Sequence, residues 1–172
     1  MAERQIVKYG DPVLREVSKK VEKIDQGIKD LVSDMTDTLK AASGLGLAAV
    51  QIGVLLRIFI IDLAALDPTA SLKVYINPEI LKTSKAEVEM EEGCLSFPGI
   101  YQKIFRPESV RIRATGLDGK VFEESLDSLA ARAVLHEYDH IEGKLFIDYL
   151  SPFAKTLLSG KLKKLAGNMA AL

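Results

Sequence analysis

Two segments with a helical spacing of apolar residues enclose a run of shorter segments, several of which alternate between apolar and polar residues. The first, from about Gln26 to Ala42, follows a capping residue, Asp25, and the second is "LDSLAARAVLHEYDHIEG", which Gly143 can end. The strands predicted between them include "LRIFIID", "KVYINPEIL", "SVRIRATG" and "KVFEES", and the Asp-Gly pair of "LDGK" joins the last two as a hairpin. This order predicts an α+β fold, with a mostly antiparallel β-sheet packed around the second helix.

Further boundaries are predicted from proline and from capping residues. Pro78 is expected to end the strand in "KVYINPEIL", and "LFIDYL" is predicted to be another short strand. Ser151 and Pro152 have the residue types of an N-cap and a first helical position, so they predict a C-terminal helix.

The charge balance and the N-terminal segment exclude several classes of protein. The chain of 172 residues has 23 lysines and arginines against 24 aspartates and glutamates, so neither a coat for nucleic acid nor direct binding to DNA is expected. Its single cysteine cannot form an internal disulfide. The N-terminal segment lacks the apolar core of a signal peptide, and polar residues interrupt the most apolar stretch, Leu45 to Leu66. These features predict a cytoplasmic protein without a membrane span.

Both histidines of the chain lie in "HEYDH", at positions 136 and 140. Residues four apart on a helix lie on the same face, so His136 and His140 can bind one metal ion together. Glu137 lies beside the first of them and can reach a water on the metal without being a ligand, as the general acid/base of an H-E-x-x-H site does. The alternative is a helix whose polar residues are simply part-exposed.

A catalytic site of this type needs a third protein ligand. Many metallopeptidases have it in H-E-x-x-H-x-x-G-x-x-H, but Phe146 stands at the last position, and no glutamate follows Glu142. The third ligand is therefore expected from upstream, where Cys94 lies in "EEGCLSFPG" next to a glycine that allows close approach of the backbone. A lone cysteine is more often a small buried apolar residue, which is the alternative here.

A carboxamide stands among glycines in "GLGLAAVQIG". The stretch matches a dinucleotide-binding pattern, but a helix precedes it and a strand follows, which is the reverse of the order that such a loop needs. A tight turn explains the glycines, yet it does not explain Gln51 in an otherwise apolar segment. A buried amide needs hydrogen-bond partners, and Gln51 could donate to a developing oxyanion.

Together these three stretches resemble the peptide deformylases, whose patterns are G-x-G-x-A-A-x-Q, E-G-C-x-S and H-E-x-D-H. The chain reads "GLGLAAVQ", "EGCLS" and "HEYDH" in the same order, and the resemblance continues in "INPEIL", "VRIRATGLDGK" and "GKLFIDYL". It implies a metal-dependent hydrolase that removes the formyl group from the N-terminal methionine of newly made polypeptides and releases formate. Residues 1–150 would then be the catalytic domain, and residues 151–172 a C-terminal helical extension of the same domain.

The resemblance also implies a role for each matching residue. The residues that would bind the metal are Cys94, His136 and His140. Glu137 would move protons while hydroxide on the metal attacks the formyl carbon, and the side chain of Gln51 and the backbone N–H of Leu95 would form an oxyanion hole. The residues that would line the substrate cleft are Leu45, Gly46 and Arg106. The implied ion is ferrous iron in the cell, with zinc, nickel or cobalt as substitutes in preparations.

Three positions differ from the residues usual in that family. Val50 precedes Gln51 where proline is common, and Leu135 precedes His136 where glutamine is frequent. Arg132 lies one turn before His136, where an apolar residue often faces the methionine pocket, so its charge would have to point away from an apolar cavity. The preference for the substrate side chain is therefore left open.

Alternatives to the implied activity and to its partner stay open from the sequence. A metallopeptidase would share the H-E-x-x-H chemistry without its usual third ligand, and a non-catalytic relative would lack a catalytic residue, although none is missing. The terminal segment "SPFAKTLLSGKLKKLAGNMAAL" has four lysines and no acidic side chain, which favours a solvated amphipathic helix. The resemblance offers docking on the ribosome as the alternative.

Overall fold

A computed structural model describes residues 2–170, so Met1 and the last two residues of the predicted C-terminal extension lie outside the described part. The α-helices are α1 (Gln26–Ala42), α2 (Ser128–Ile141) and α3 (Pro152–Ala170). The strands are β1 (Gly46–Ala48), β2 (Ile58–Ile61), β3 (Lys73–Thr83), β4 (Glu87–Gly93), β5 (Tyr101–Pro107), β6 (Ser109–Thr115) and β7 (Val121–Asp127). Short 3-10 helices cover Pro12–Arg15, Ala49–Ile52 and Phe146–Tyr149.

The strands form two antiparallel sheets. One has the order β1-β2-β3-β6-β7, and the other consists of β4 and β5. The predicted hairpin is confirmed, since β6 pairs with β7 from Ser109 opposite Asp127 to Thr115 opposite Val121. The predicted α+β class is confirmed as well.

Helices cover both faces of the five-stranded sheet. Successive side chains of a strand point to opposite faces, so Phe59 packs with Val134 of α2, and Ile60 packs with Met35 of α1. All four residues of β2 are therefore buried, which is why "RIFIID" has a continuous apolar run where a half-exposed strand would alternate. The α2 helix that carries both histidines is held on this sheet.

The C-terminal helix packs on the N-terminal segment. Ser151 Oγ accepts a hydrogen bond from the N–H of Ala154, as its predicted role of N-cap requires. Leu158 lies in one apolar cluster with Leu14 and Phe146. None of the helices within residues 2–170 combines the length and the apolar character that crossing a membrane requires.

Two sequence-based boundaries are wrong. Strand β3 continues through Pro78, because the register shifts between Ile76 and Glu79 and the proline therefore needs no N–H for the ladder. The predicted strand in "LFIDYL" is the 3-10 helix Phe146–Tyr149. Its consecutive residues Phe146 and Ile147 are both buried in one cluster, which a strand with two faces does not allow there.

Candidate active site

The structure brings together the three residues predicted to bind a metal. His136 and His140 lie on α2, and Cys94 lies in the loop directly after β4. Their ligand atoms lie within 4.8 Å of one another, and Cys94 Sγ is 3.3 Å from His140 Nε2. One thiolate and two imidazoles suit a divalent metal such as zinc or ferrous iron, and they leave a coordination position for water or substrate.

Glu137 lies beside these ligands, in the wall of a cavity of about 480 Å³. Its Oε2 atom is buried and bonds to no group within the described residues. A buried carboxylate oxygen in that state fits a site that receives water or substrate. Burial raises the pKa of Glu137 to about 7, which is close to the value that suits a group accepting and donating protons near neutral pH.

Glu92 orients the first histidine. The Nδ1 atom of His136 is 2.8 Å from Glu92 Oε1, so it donates to that carboxylate and its Nε2 atom keeps a lone pair for a metal. Burial alone would raise the pKa of Glu92, but hydrogen bonds from His136 and Arg106 outweigh it and lower the pKa to about 2. Glu92 is therefore a carboxylate at every pH at which the protein is expected to work.

Gln51 has a fixed orientation. Its Oε1 atom accepts the N–H of Ala48 at 2.9 Å, so its Nε2 atom must point the other way. That atom donates to Ser96 Oγ at 3.2 Å and lies 3.6 Å from Cys94 Sγ. The amide N–H groups thus lie beside the candidate metal ligands, as a donor to an oxyanion would.

The edge of the five-stranded sheet runs along the same cavity. The carbonyl of Leu45 accepts the N–H of Asp62, so it already belongs to the pairing with the next strand. The polar groups of Gly46, the next residue, point to the opposite, free edge of β1. Both residues line the cavity, and an extended peptide could pair with that edge.

Arg106 differs from its expected position, because it does not line the cavity. It lies buried behind His136, where its Nε atom donates to Glu92 Oε2 at 2.6 Å and its Nη1 atom donates to Asp139 at 2.8 Å. A guanidinium group held on two buried carboxylates cannot also contact a substrate in the cavity. Arg106 therefore supports the candidate metal ligands through Glu92 and Asp139.

The three unusual positions have different surroundings. Val50 and Leu135, which belongs to α2, are buried in one apolar cluster. Arg132 lies in the cavity wall, but its guanidinium group donates to Glu92 Oε2 and to the carbonyl of Val88, both at 2.6 Å. The charge of Arg132 thus points into the protein, and only its stem can face a ligand.

Sequence reasoning missed the supporting residues. Glu92 and Ser96 stand within the quoted motif "EGCLS", yet neither received a role, because a motif gives no distances. The alternation of β4 is the signal that could have found Glu92: a residue two positions before Cys94 in a strand points to the same side.

The comparisons with known proteins agree with this geometry. The sequence profile of the polypeptide deformylase family matches residues 3–156. The chain belongs to the peptide deformylase family. It is similar to the peptide deformylase of Mesorhizobium japonicum, with 46% identity over 93% of this chain and 91% of the relative. It is also similar to peptide deformylase 2 of Nitrosomonas europaea, with 45% identity over 99% of this chain and 91% of the relative.

Solved deformylase structures have the same fold. A crystal structure of a peptide deformylase from Legionella pneumophila superposes with a TM-score of 0.89 at 42% identity and covers 98% of both chains. Peptide deformylase 1B of Arabidopsis thaliana, in complex with an inhibitor, gives a TM-score of 0.89 at 39% identity over 94% of this chain and 89% of that one. The chain is therefore an enzyme of the deformylase kind, a metal-dependent hydrolase.

Proposed function

We propose that the chain removes the formyl group from the N-terminal methionine of new polypeptides in the cytoplasm, with a metal ion bound by Cys94, His136 and His140. The observation that supports this most directly is the meeting of these three donors with Glu137, whose Oε2 atom has no partner among the described residues. When bound, the metal supplies Lewis acidity, which makes water more acidic and polarises a carbonyl.

The residues of the chain would perform the remaining steps. Glu137 takes a proton from the attacking water and later donates one to the leaving amine. Gln51 Nε2 and the N–H of Leu95 stabilise the negative charge that develops on the formyl oxygen. Gly46 holds the peptide backbone at the edge of β1, so that the formyl carbon is turned toward the ligands.

The decisive experiment measures two reactions on one protein. Formate release from a formyl-methionyl tripeptide is expected, and cleavage of internal peptide bonds in the same peptide is not. Glu137→Gln should keep its bound metal and lose at least ~100-fold in formate release. Peptide cleavage without formate release would instead support a metallopeptidase.

We propose ferrous iron as the ion in the cell, although zinc should bind such a donor set more tightly. An iron site beside a thiolate is sensitive to oxygen, whereas zinc has no redox chemistry. The stripped protein should be reloaded with each metal without oxygen and assayed before and after exposure to air. Higher initial activity with iron, followed by its loss in air, would support iron; equal and stable activities would contradict it.

The ribosome is the partner that we propose for α3. The inner face of this helix carries Ala154 and Leu158, which pack into the protein. Its outer face carries Phe153 and Leu157, which are 73% and 69% exposed. A helix that only faces solvent does not need exposed apolar residues, so their presence indicates a contact surface. The lysines beside them favour a large anionic partner.

A further inference from the structure

Residues 94–97 form a turn, here called the Cys94 turn, in which every inner carbonyl has a donor. The N–H of its last residue donates to the carbonyl of Cys94 at 2.9 Å. Two donors of the N-terminal segment bind the next carbonyls of the turn. Lys8 Nζ donates to the carbonyl of Leu95, and the N–H of Tyr9 donates to the carbonyl of Ser96, at 2.9 Å each. The conformation of the turn thus depends on residues far away in sequence.

The same N-terminal segment also holds the second donor of the proposed oxyanion hole. The N–H of Val7 donates to the backbone carbonyl of Gln51 at 2.7 Å. The ring of Tyr9 stacks on Phe97 with the ring centroids 5.0 Å apart. Residues 7–9 therefore connect the loop of Gln51 with the Cys94 turn.

Lys8 is the member of this segment whose side chain makes the connection. It is half-buried and lines the cavity, with its ammonium group on the carbonyl of Leu95. Because Leu95 directly follows Cys94, this hydrogen bond places the charge of Lys8 on the peptide group next to the candidate metal ligand. No acceptor within residues 2–170 binds the N–H of Leu95, which leaves that donor for a ligand.

Fixing a carbonyl restricts the neighbouring N–H. The N–H and the carbonyl of Leu95 belong to peptide groups on either side of one Cα atom, so only two dihedral angles relate their directions. With the carbonyl held by Lys8 and the preceding carbonyl held within the turn, both angles are constrained. A donor that is oriented in advance costs no reorganisation when charge develops on the substrate.

We propose that Lys8 is a positioning residue of the oxyanion hole. Its ammonium group holds the carbonyl of Leu95, which aims the N–H of Leu95 into the cavity, and its charge stabilises the thiolate of Cys94. The inference rests on the proposed deformylation for the role of Leu95, whereas the effect on Cys94 can be measured without turnover.

The kinetic test compares three substitutions. Lys8→Met keeps the stem and removes the charge, and kcat should fall about 10-fold with KM changed by less than about twofold, because the donor acts in the transition state. Lys8→Arg keeps the cation and should recover most of kcat. Lys20→Met is the matched control, because Lys20 is exposed and does not line the cavity. This substitution changes the net charge by the same amount as Lys8→Met.

The spectroscopic test uses the cobalt-substituted protein. Loss of a nearby cation raises the energy of the thiolate electrons, so the thiolate-to-cobalt absorption band should move to longer wavelength in Lys8→Met and not in Lys20→Met. Lys8→Gln, a second neutral variant, should behave as Lys8→Met. Thermal unfolding of each variant shows whether the fold is kept.

The outcomes separate this inference from the proposed function. If the wild type releases no formate, the proposed function fails, and the cobalt band still tests the electrostatic effect of Lys8 on Cys94. If the wild type is active while Lys8→Met and Lys8→Gln keep its kcat and its band position, Lys8 has no positioning role. A lower unfolding temperature with unchanged kcat per bound metal would likewise overturn the inference in favour of a purely structural role.

Discussion

Gly46 shows how closely Glu137, the proposed acid/base residue, approaches the edge of β1. A Cβ atom at Gly46 would lie 2.8 Å from Glu137 Oε1 and 2.9 Å from Ile61 Cδ1. Contacts of that length cannot persist, and Ile61 leaves little room on the other side because it is buried. Glycine is thus required at this position so that the Glu137 carboxylate can lie against the peptide edge.

Gly46→Ala is expected to displace Glu137 and to lower kcat by about 10- to 100-fold, because a small misplacement of a reacting group is costly. Metal content should be unchanged, since none of the three atoms nearest to the added Cβ atom belongs to a candidate ligand. Gly160→Ala is the control: it lies in α3 with open space around it, so it should leave kcat unchanged and stabilise the helix by up to about 1 kcal/mol. Normal kcat in Gly46→Ala would contradict the tight fit.

Local patterns predicted which side chains lie together on one helix better than they predicted contacts between distant segments. "HEYDH" places two imidazoles and a carboxylate on one helix, so their proximity follows from local geometry alone. The position of Arg106 depends on how β5 packs on α2, a contact between segments that no local pattern encodes. The resemblance therefore predicted that Arg106 lines the substrate cleft. In the structure its two carboxylate partners, Glu92 and Asp139, hold it behind the cleft.

At the scale of elements, Arg132 joins α2 to the two-stranded sheet. Its Nη2 atom donates to the carbonyl of Val88 in β4, and its Nη1 atom contacts the carbonyl of Ile104 in β5 at 3.3 Å as well as Glu92. The buried group consists of two guanidinium groups and the carboxylates of Glu92 and Asp139, so their formal charges balance. Removing one arginine leaves an unbalanced negative charge in the interior.

Arg132→Leu is expected to lower the free energy of unfolding by about 3 kcal/mol, because removing one partner of a buried ion pair leaves the charge of the other partner buried and uncompensated. Arg111→Leu, which removes an exposed pair with Glu123, should cost at most about 1 kcal/mol. Urea unfolding of both variants measures the difference. Equal losses would mean that the buried arginine contributes no more than a surface one.

The 3-10 helix Phe146–Tyr149 gives a prediction about pH. Burial raises the pKa of Asp148, but hydrogen bonds from Arg15 and from the N–H of Leu145 outweigh it, and the net pKa lies below the usual range. A carboxyl group with a lower pKa in the folded state stabilises the protein above its unfolded pKa of about 4, and the contribution is lost as the pH falls through the folded value.

Wild type and Asp148→Asn should therefore differ in unfolding temperature at about pH 6 and converge toward about pH 3. Thermal unfolding at several pH values measures the convergence. A difference that stays constant down to about pH 3 would show that the charge of Asp148 does not stabilise the fold.

This segment also shows what local patterns could not predict. The β-branched and aromatic residues of "LFIDYL" have strand propensity, but the side chain of Asp148 accepts the N–H of Leu145 three residues earlier, as in a helix start. Burial of neighbouring residues in one cluster then decides in favour of the 3-10 helix. Tertiary packing outweighs propensity here, whereas α1 and the β6–β7 hairpin, with strong local signals, were predicted correctly.

At the scale of the molecule, α3 presents a separate surface for a partner. The triple substitution Lys161→Gln, Lys163→Gln and Lys164→Gln should weaken sedimentation with ribosomes and leave the turnover of a free formyl-peptide unchanged. The matched control neutralises Lys82, Lys85 and Lys103, which are exposed on the β3–β5 region. Equal ribosome binding by both triple variants would contradict a specific role for α3.

The packing of the N-terminal segment against α3 has a consequence for the candidate site. A Cβ atom at Gly10 would lie 2.7 Å from the Cα atom of Ala166, so the N-terminal segment lies against α3. The segment that holds the Cys94 turn is thus itself packed against α3, although none of the residues that line the cavity belongs to that helix. A displacement of α3 would therefore loosen the hold on the Cys94 turn from a distance.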